Sequence, residues 1–487
     1  MIEETVIGAF SSKERVFEAL PPVWPESLMS QIRERLCGRR TKAVVLDDDP
    51  TGTQTVYNTP VITEWSVESL GREIREPGPG FYILTNSRSL SSVETQELHR
   101  ELGRNLMEAV DSYLDHENSP GLCVISRSDS TLRGHFPVEI DILAEVLGTP
   151  DVVFIVPFFA EGGRFTIDNV HYLAQSDELV PVAATPFARD PVFGYRSWNL
   201  REWIVEKSHG AIVGERIRSL SLDDIRFGGP DGVLEIIRKL PKGTFCIVNA
   251  AHYRDLEVFT LAVLDAEAEG KRFLFRSAAS FVAVRLGLEP RTPLAARELC
   301  DFDTTTGGLV VCGSYVPGST RQLESLLSQG GVEPIEFRVM QFVHAQSPEE
   351  YVKEVIQEIR NRLASGRHVV LFTSRQYLGD PDTQQSLAMG RRIAAALAQI
   401  IREMGVRPRF LIAKGGITSS EVATKGLGVK RAIVRGQALP GVPVWELDEN
   451  SLYPGLRYIV FPGNVGGPDA LAGLVKSLAE ADQCPGN

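Results

Sequence analysis

Short apolar runs alternate with helical patterns along most of this chain. Runs of four to six residues rich in β-branched side chains are typical of strands that are covered on both faces. Such runs predict strands at 43–47, 81–85, 122–126, 152–157, 245–249, 272–276, 309–312, 369–373, 410–413, 431–434 and 458–461. Because strands and helices alternate, the pattern predicts an α/β protein: two doubly wound domains with largely parallel sheets and an inter-domain cleft.

The region 91–114 shows the helical pattern most fully. Ser91 and Glu94 have the spacing of a capping box, in which each side chain bonds the backbone N–H of the other residue. The apolar positions that fall on one stripe are Val93, Leu98, Leu102, Leu106 and Val110. These features predict a helix that begins beside Ser91 and buries this stripe.

The chain length sets the number of domains. With 487 residues the chain is too long for one ordinary core, so two or three domains are expected. The stretch 286–306 contains Pro290 and Pro293 and precedes a new strand, which marks a boundary. We therefore predict an N-terminal extension over 1–40 with a helix around 26–37, a first domain over 41–295 and a second over 305–487.

Composition excludes several classes of partner. The net charge of -12 argues against nucleic acid, because binding its phosphate backbone needs clustered Lys and Arg. The sequence has no apolar run of about 20 residues and no basic-then-apolar start typical of a signal peptide. Its six cysteines include no Cys-x-x-Cys pair, which argues against a structural zinc site. We expect a cytoplasmic, reduced protein without a membrane partner.

Three consecutive acids, Asp47, Asp48 and Asp49, directly follow the first predicted strand. In open α/β sheets, ligands lie outside the carboxyl ends of the strands. Carboxylates at such a strand end repel one another and lose hydration, so packing alone does not explain them. A solvated turn rich in Asp and Gly is the alternative for one such motif. Polar motifs after several other strands favour a binding site.

The other strand ends of the first half carry arginines and one more acid. These residues are Arg88, Arg127, Asp129, Arg133 and Arg164. An arginine pair can hold a substrate carboxylate with paired hydrogen bonds, and an aspartate can orient or deprotonate a hydroxyl. A surface ion-pair network is the alternative interpretation. We predict that the first domain binds a small, polar, anionic substrate.

The strand ends of the second half carry glycines and hydroxyls instead. They include Gly313-Ser314, the segment 414–419 and the segment 462–467. Glycines, hydroxyls and backbone N–H groups bind phosphates at the N-termini of helices. The sequence has no Walker P-loop, so a nucleotide site here would be of another type.

A phosphatase is a second interpretation of the opening motif. Asp47-x-Asp49-x-Thr51 fits the pattern of haloacid-dehalogenase-like phosphatases, in which the first Asp attacks phosphorus and the second acts as acid and base beside Mg²⁺. The segment 379–382, Gly-Asp-Pro-Asp, could provide the later acidic motif of that class. Pro50, where Gly is usual, counts against this interpretation, and the arginine-rich and glycine-rich clusters would have no role in it.

Taken together, the segments resemble the four-carbon acid sugar kinase family from about residue 42 to residue 478. The family's Asp-Asp-Phe-Thr-Gly is matched at 48–52, and its Lys-x-Asp-Ser-Thr-Leu-Arg-Gly at 127–134. Its Gly-Gly-x-Thr is matched at 415–418, and its Lys-Ser-Gly-x-Phe-Gly at 461–466. This chain departs from those motifs at Pro50, Arg127 and Phe461-Pro462.

The resemblance implies an ATP-dependent kinase of sugar acids such as threonate, erythronate, 3-oxo-tetronates or related branched acids. It implies Mg²⁺ with the ATP but no particular side-chain ligands for the metal. It places the sugar acid on the first domain and ATP on the second. The implied catalytic residues are Asp48 and Asp129. The implied substrate-binding residues are Asp49, Thr51, Arg88, Arg127, Arg133 and Arg164. The implied ATP contacts are Ser314, Gly415, Gly416, Ile417, Thr418, Gly463 and Gly466.

Two further expectations complete the sequence-based picture. A non-catalytic sensor of sugar acids or nucleotides is a further alternative. At Phe461-Pro462 this chain lacks the lysine of the family motif, and so lacks a compact positive charge that would lie next to the nucleotide phosphates. A homodimer is among the expected assemblies.

Overall fold

The computed structural model describes residues 11–37, 41–113, 121–302, 304–314, 316–375, 384–463 and 465–481. These residues form two compact units. Unit 1 contains the described residues up to Asp48 together with Trp65–Pro290, and unit 2 contains Asp49–Glu64 and the described residues from Arg291 onward.

Nineteen strands are present in the described ranges, and each predicted strand coincides with one of them. Ten of these predictions agree to within one residue at either end, and the one at 431–434 extends to Leu439. The strands are β1 (Ser11–Ser12), β2 (Lys42–Asp47), β3 (Thr59–Ile62), β4 (Gly80–Leu84), β5 (Leu122–Arg127), β6 (Val152–Val156), β7 (Arg164–Ile167), β8 (Val170–Gln175), β9 (Glu178–Pro181), β10 (Ile217–Leu220), β11 (Thr244–Val248), β12 (Phe273–Ser277), β13 (Leu309–Cys312), β14 (Glu333–Phe337), β15 (Val369–Thr373), β16 (Leu411–Lys414), β17 (Arg431–Leu439), β18 (Val442–Leu447) and β19 (Arg457–Phe461).

Seventeen α-helices occur in the same described ranges and connect most of these strands. They are α1 (Lys13–Ala19), α2 (Met29–Cys37), α3 (Val67–Arg75), α4 (Ser92–Tyr113), α5 (Val138–Leu147), α6 (Leu200–Lys207), α7 (Leu222–Arg226), α8 (Gly229–Lys239), α9 (Tyr253–Ala268), α10 (Ala279–Arg285), α11 (Ala296–Leu299), α12 (Pro317–Gln329), α13 (Val339–His344), α14 (Pro348–Ala364), α15 (Gln384–Glu403), α16 (Gly416–Glu421) and α17 (Ala470–Ala479). None of the helices in the described ranges is long and apolar enough to cross a membrane.

Unit 1 is built on a parallel sheet with the strand order β10-β11-β6-β12-β5-β2-β4. Its β2, β4, β5 and β6 strands are almost wholly buried and apolar, which explains why the sequence predicts them well. Within this unit the chain passes from β2 to β4 on one side and then to β5 on the other. The strand order therefore reverses between β2 and β5, and a ligand site is expected at their carboxyl ends.

A smaller antiparallel sheet in unit 1, with the order β1-β9-β8-β7, is absent from the sequence prediction. Strands β7 and β8 are joined by Asp168 and Asn169, both with positive φ (50° and 63°). A two-residue hairpin turn of this kind favours Asn and Asp, because they tolerate the left-handed conformation. The strands of this sheet have only two to six residues, too few to show a clear alternating pattern.

The sheet of unit 2 has the order β14-β15-β13-β16-β19-β18-β17-β3. The first five strands are parallel and the last three are antiparallel. Among the parallel strands the chain order reverses between β13 and β16, which makes their carboxyl ends the expected ligand position.

The segment 49–64 belongs to unit 2, although it directly follows a strand of unit 1. Its β3 pairs with β17, and the Trp445 indole N–H donates to the Thr53 hydroxyl at 2.9 Å. The sequence-based range places this segment in the first domain, because its chain neighbours lie there. The pairing with β17 is a long-range contact that no local pattern indicates.

Helix α4 confirms the predicted capping box. The backbone N–H of Ser91 donates to Glu94 Oε2 at 2.7 Å, and that of Glu94 donates to Ser91 Oγ at 3.3 Å. The predicted stripe is wrong at Val93, whose side chain is 64% exposed. The buried face passes through Thr95, and Val93 lies about 200° around the helix from that residue.

The predicted helix near residues 26–37 is α2, and it is anchored to the rest of unit 1. The backbone N–H of Leu28 donates to Glu257 Oε2 at 2.7 Å, and the Ser27 hydroxyl donates to the same oxygen at 3.1 Å. Glu257 lies on α9 and is buried. The described part of the extension is therefore packed against unit 1.

Candidate active site

A cluster of charged side chains lies at the carboxyl ends of β2 and β5 in unit 1. Asp47 and Arg127, the last residues of the two strands, stand opposite each other in the sheet. Arg127 Nη1 lies 3.4 Å from Asp47 Oδ1 and 3.8 Å from Asp48 Oδ1. All three side chains are buried. Arg127 thus provides the positive charge that two buried carboxylates need.

A second group of charges lies at the same strand ends and is more exposed. Arg88 Nη1 lies 3.3 Å from Asp129 Oδ1, and its Nη2 lies 3.7 Å from Asp48 Oδ1. Arg133 Nε donates to Asp129 Oδ2 at 2.7 Å, and its Nη1 lies 3.6 Å from Asp190 Oδ2. The side chains of Arg88 and Arg133 are 16% and 23% exposed. Both arginines therefore combine a fixed position with access to a ligand.

Asp129 is held in its ionised form. Burial opposes its ionisation, but Arg133 and Arg88 beside it outweigh that effect. Hydrogen bonds from Arg133 and Thr131 add to the effect, so the pKa of the Asp129 carboxyl lies well below its usual range. Asp129 is thus a permanent hydrogen-bond acceptor with low basicity.

Arg276 lies behind this group, and it is not among the residues predicted from the sequence. Its Nη2 donates to the backbone carbonyl of Arg133 at 3.1 Å, and its guanidinium stacks over the rings of Phe136 and Trp203. Burial lowers the pKa of Arg276, while the nearby carboxylates, Glu139 first among them, oppose that shift. In the sequence Arg276 lies inside the predicted strand 272–276, so only its polarity within an apolar run could have indicated it.

Gly134 allows the loop after β5 to approach Asp48 closely. Its φ is +116°, a conformation that favours glycine, and a Cβ there would lie 3.3 Å from Asp48 Oδ2. A larger residue would therefore be strained and would crowd the carboxylate. The glycine that ends the 127–134 motif thus has a direct structural role at the cluster.

Arg164 and His171 border the cluster on the small antiparallel sheet. Burial lowers the pKa of Arg164, with Asp129 opposing the shift, and its Nε has no hydrogen-bond partner among the described residues. His171 Nε2 lies 2.8 Å from the Ser130 carbonyl, which can only accept, so this nitrogen carries the proton. Its Nδ1 then accepts from Thr166 Oγ1 at 3.0 Å. Burial lowers the pKa of His171 to about 4, so the ring is neutral near pH 7.

Glu139, near the start of α5, ties together two of the loops that carry these charges. The Ser87 hydroxyl donates to Glu139 Oε1 at 2.6 Å, and the Ser126 hydroxyl donates to its Oε2 at 3.1 Å. Ser87 precedes Arg88, and Ser126 lies at the end of β5. The buried carboxylate therefore fixes the loop after β4 against the end of β5.

Unit 2 brings glycines and hydroxyls together at the ends of β13, β16 and β19. A Cβ on Gly313 would lie 2.3 Å from Thr418 Oγ1, and a Cβ on Gly415 would lie 2.8 Å from the Ser314 Cβ. A Cβ on Gly463 would lie 3.4 Å from Ser314 Oγ. The predicted ATP contacts Ser314, Thr418 and Gly463 are therefore neighbours. Ile417, between them in the sequence, is 43% exposed.

Asp49 and Thr51 lie beside this glycine loop. Asp49 Oδ1 accepts from the Thr51 backbone N–H at 2.9 Å and from the Thr51 hydroxyl at 2.6 Å. A Cβ on Gly416 would lie only 2.1 Å from Asp49 Oδ2. Asp49 and Thr51 are predicted from the sequence to bind the sugar acid, whereas their neighbours in the structure are residues predicted to bind the nucleotide.

Helix α12 holds the last glycine-rich loop in place through contacts that no local sequence pattern indicates. Gln322 Nε2 lies 3.0, 3.1 and 2.9 Å from the carbonyl oxygens of Val465, Gly466 and Gly467. The Ser319 hydroxyl donates to the Gly463 carbonyl at 3.2 Å. These hydrogen bonds hold the backbone at Gly463 and at residues 465–467 in place against α12.

A cavity in unit 2 lies away from the residues predicted from the sequence. Its volume is about 750 Å³, and its lining, which includes Phe342, Arg392, Arg402 and Lys425, contains none of those residues. This cavity is therefore separate from the strand-end clusters described above.

Within the described ranges no three His, Cys, Asp or Glu residues are grouped to hold a metal ion. The segment 379–382, considered for a phosphatase, lies outside the described residues.

Comparison with protein families matches both units. A model described as a sugar-binding N-terminal domain matches residues 43–285. A model described as a nucleotide-binding C-terminal domain matches residues 309–471. The two matches lie in the same order along the chain as the arginine-rich and glycine-rich clusters.

Two relatives with assigned names are similar in sequence to parts of this chain. D-threonate kinase of Salmonella typhimurium is 23% identical over 374 residues, which cover 75% of this chain and 82% of that protein. D-erythronate kinase of Heliobacterium modesticaldum is 30% identical over 159 residues, which cover 31% of this chain and 33% of that protein.

Solved structures share the fold at low sequence identity. A Haemophilus influenzae protein from a family of unknown function has a TM-score of 0.58 and 18% identity, covering 90% of this chain and 100% of its own. A Salmonella typhimurium LT2 protein provisionally described as a tRNA synthase has a TM-score of 0.63 and 16% identity, covering 90% and 98%. The two domain models, which together match most of the chain, show that it belongs to the four-carbon acid sugar kinase family.

Proposed function

We propose that this protein is an ATP-dependent kinase that transfers the γ-phosphoryl group to a hydroxyl of a small sugar acid. The observation that supports the proposal most strongly is the cluster of Asp48, Arg88, Asp129 and Arg133 at the point where the strand order of unit 1 reverses. This cluster offers cations for a carboxylate and a fixed anion for a hydroxyl within one small region.

Arg88, Arg133 and Arg164 are the proposed partners of the substrate carboxylate. Arg88 and Arg133 are partly exposed, and Arg164 has an N–H group without a partner in the described chain. Guanidinium groups bind carboxylates through paired, charge-assisted hydrogen bonds. Arg127 is buried and pairs with Asp47 and Asp48, so its proposed role is to hold these carboxylates in position.

Asp129 is the proposed partner of the accepting hydroxyl, with Asp48 behind it. Phosphoryl transfer through a loose transition state needs a well-placed nucleophile more than a strong base. A carboxylate that stays ionised can accept the hydrogen bond of the hydroxyl over a wide pH range and take its proton late in the reaction. The low pKa of Asp129 suits this task.

The nucleotide would bind to unit 2 at Ser314, at the backbone of 415–418, and at Gly463 and Gly466. The first three of these groups adjoin one another at the strand ends, where N–H groups and hydroxyls can contact phosphate oxygens. Mg²⁺ would neutralise charge on the phosphates. Because the described residues offer no cluster of three potential ligands, we propose that the metal is held chiefly by ATP and water.

The names of the relatives indicate which acids to test first. One relative is a D-threonate kinase and another a D-erythronate kinase. Both of those substrates are four-carbon acids, so we propose a four-carbon or related branched acid for this protein. The observed arginines fit this class, since such an acid is small and carries one carboxylate.

A coupled assay of ADP release tests the proposal. The purified protein is given Mg²⁺-ATP with a panel of four- and five-carbon sugar acids and their 3-oxo forms. Substrate-dependent ADP release supports the kinase and names its acid. Binding of both ligands without turnover would identify a sensor instead.

The same preparation tests the phosphatase alternative. Release of phosphate from phosphorylated sugar acids in the absence of nucleotide would contradict the kinase and favour that class. The structure gives this alternative little support, because Asp47, its proposed nucleophile, is fully buried beside Arg127. A nucleophilic carboxylate must reach phosphorus directly.

A further inference from the structure

Lys414 is a buried cation at the centre of the glycine-rich region of unit 2. It is the last residue of β16 and stands opposite Phe461 of β19 in the sheet. The side chain is fully buried. Its Nζ donates to the Pro462 carbonyl at 3.0 Å and lies 4.2 Å from the centre of the Phe461 ring. Gly415 follows it in the chain, and Gly463 follows Pro462.

A second cation, Arg375, lies just after β15. Its Nη1 donates to the Ser314 carbonyl, and its Nη2 lies 3.4 Å from the Cys312 carbonyl and 3.3 Å from Cys312 Sγ. The titratable groups that influence Lys414 are the Cys312 thiol on β13 and the Arg375 guanidinium. In the part of the chain that the structure describes, neither Lys414 nor Arg375 forms an ion pair with a carboxylate.

This arrangement is costly without an anion. A buried cation normally needs a counter-charge, and two cations near each other increase the need. Burial lowers the pKa of Lys414 to about 8, with Arg375 acting in the same direction and Cys312 against it. Lys414 is therefore still mostly charged at pH 7. In unit 1, by contrast, each arginine of the cluster at the ends of β2 and β5 has a carboxylate within 4 Å.

We propose that Lys414 provides positive charge for the phosphate chain of the bound nucleotide, acting from behind the Pro462–Gly463 backbone. This inference rests on the proposed function and assigns a positioning residue to it. The lysine of the family's Lys-Ser-Gly motif corresponds to Phe461 in this chain. In this chain the ammonium group of Lys414, on the neighbouring strand, lies against the Phe461 ring. A positive charge is thus present near the position of the family's lysine, but a different residue carries it.

Proton uptake on binding provides a test that a purely structural lysine would not pass. Near pH 8.5 a nucleotide phosphate is fully ionised, whereas Lys414 is largely neutral in the free protein. A bound phosphate chain raises the pKa of Lys414, so binding takes up a proton. Isothermal titration calorimetry with Mg²⁺-ADP at pH 8.5, in two buffers of different ionisation enthalpy, measures this uptake. We expect uptake by the wild type and none by Lys414→Arg or Lys414→Met.

Affinity provides the second measurement. At pH 7.5 we expect Lys414→Met to weaken Mg²⁺-ADP binding roughly ten-fold or more, because the positive charge proposed to attract the phosphate chain is lost. Lys414→Arg should keep most of the affinity, and Phe461→Lys on the Lys414→Met background should restore part of it. Lys476→Met, which removes an exposed lysine on α17 of the same unit, is the matched control and should change nothing.

The outcomes separate this inference from the proposed function. A wild-type protein that neither binds Mg²⁺-ADP nor turns over any sugar acid contradicts the kinase itself. Binding without proton uptake at pH 8.5, or uptake that persists in Lys414→Arg, overturns the role of Lys414 and leaves the kinase intact. If Lys414→Met does not fold, the wild type and Lys414→Arg decide the question.

Discussion

The strand-end clusters of the two units use charge in opposite ways. In unit 1, Arg88, Arg127 and Arg133 each have carboxylates within 4 Å. In unit 2, Lys414 directly precedes the glycine-rich segment 415–418, and none of the ion pairs of the described residues joins it to a carboxylate. Both clusters lie where the strand order of a parallel sheet reverses. Their difference therefore lies in side-chain chemistry and not in the type of sheet.

The contrast shows two ways to prepare a protein for an anion. Mutually neutralised charges hold their geometry before a ligand arrives, which suits a small substrate that must be oriented to within a fraction of an ångström. Unpaired cations and close-packed glycines leave the counter-charge to be supplied by the ligand, which suits a highly charged phosphate chain. Four substitutions test this comparison.

Asp129→Asn should have the largest effect. The change keeps the size of the side chain but removes the anion proposed to orient the hydroxyl, so we expect kcat to fall about 10²- to 10⁴-fold. Binding of Mg²⁺-ADP should not change, because the residue belongs to unit 1. Steady-state kinetics with calorimetry checks both, and Asp223→Asn on the exposed surface of α7 is the control. Full turnover in Asp129→Asn would refute the role.

Arg133→Met should separate the two ligands. Losing a charge-assisted contact to the substrate should raise KM for the sugar acid about 10- to 100-fold, with little change in KM for ATP. Arg238→Met is a suitable control, because Arg238 lies on α8 and its partners among the described residues are Glu235 and Glu269. An equal rise of both KM values would argue against carboxylate binding by Arg133.

His171→Gln should flatten the acid dependence of stability. The folded pKa of about 4 lies below the ordinary value near 6.5, so the unfolded chain binds more protons between these pH values. Stability contributed by the neutral ring is therefore complete above pH 6.5 and falls as the pH drops towards 4, by on the order of 3 kcal/mol. Glutamine cannot titrate. Denaturant unfolding at pH 7 and pH 4.5 should show a smaller loss in the variant; an equal loss would assign the dependence to other groups.

Gly416→Ala should disturb unit 2 alone. Its Cβ would lie 2.1 Å from Asp49 Oδ2, so the carboxylate must move away from the loop, at a cost of roughly 1–3 kcal/mol. Gly473→Ala on helix α17 meets nothing within 4 Å and should be neutral or slightly stabilising. Thermal unfolding compares the two variants. If both behave alike, the close approach of Asp49 to the loop is not important for stability.

The sequence predicts the buried parallel strands and the capped helix well, because their patterns are local. The apolar run of β2 and the Ser91–Glu94 capping box each contain their own signal. The hairpin at Asp168-Asn169 was missed, since its short strands carry little periodicity. The exposure of Val93 was missed because the true buried face includes Thr95, a polar residue.

Long-range contacts explain the remaining differences at the sites. The pairing of β3 with β17 brings Asp49 and Thr51 into unit 2, and nothing near them in the sequence indicates it. From the sequence, Lys414 is only the start of a glycine-rich segment, because its contact with Phe461 depends on the register of two strands whose paired residues are 47 positions apart.

Glu139 has a consequence for the motions of unit 1. Its two carboxylate oxygens accept hydrogen bonds from the hydroxyls of Ser87 and Ser126, which belong to segments about 40 residues apart in sequence. The amide of Arg88 donates to the Asp48 carbonyl, and that of Ser128 donates to the Ser277 carbonyl. Because of these bonds, we expect the amide hydrogens of the loops that carry Arg88 and Asp129 to exchange with solvent as slowly as those of the sheet core. Amide hydrogens of surface loops usually exchange much faster.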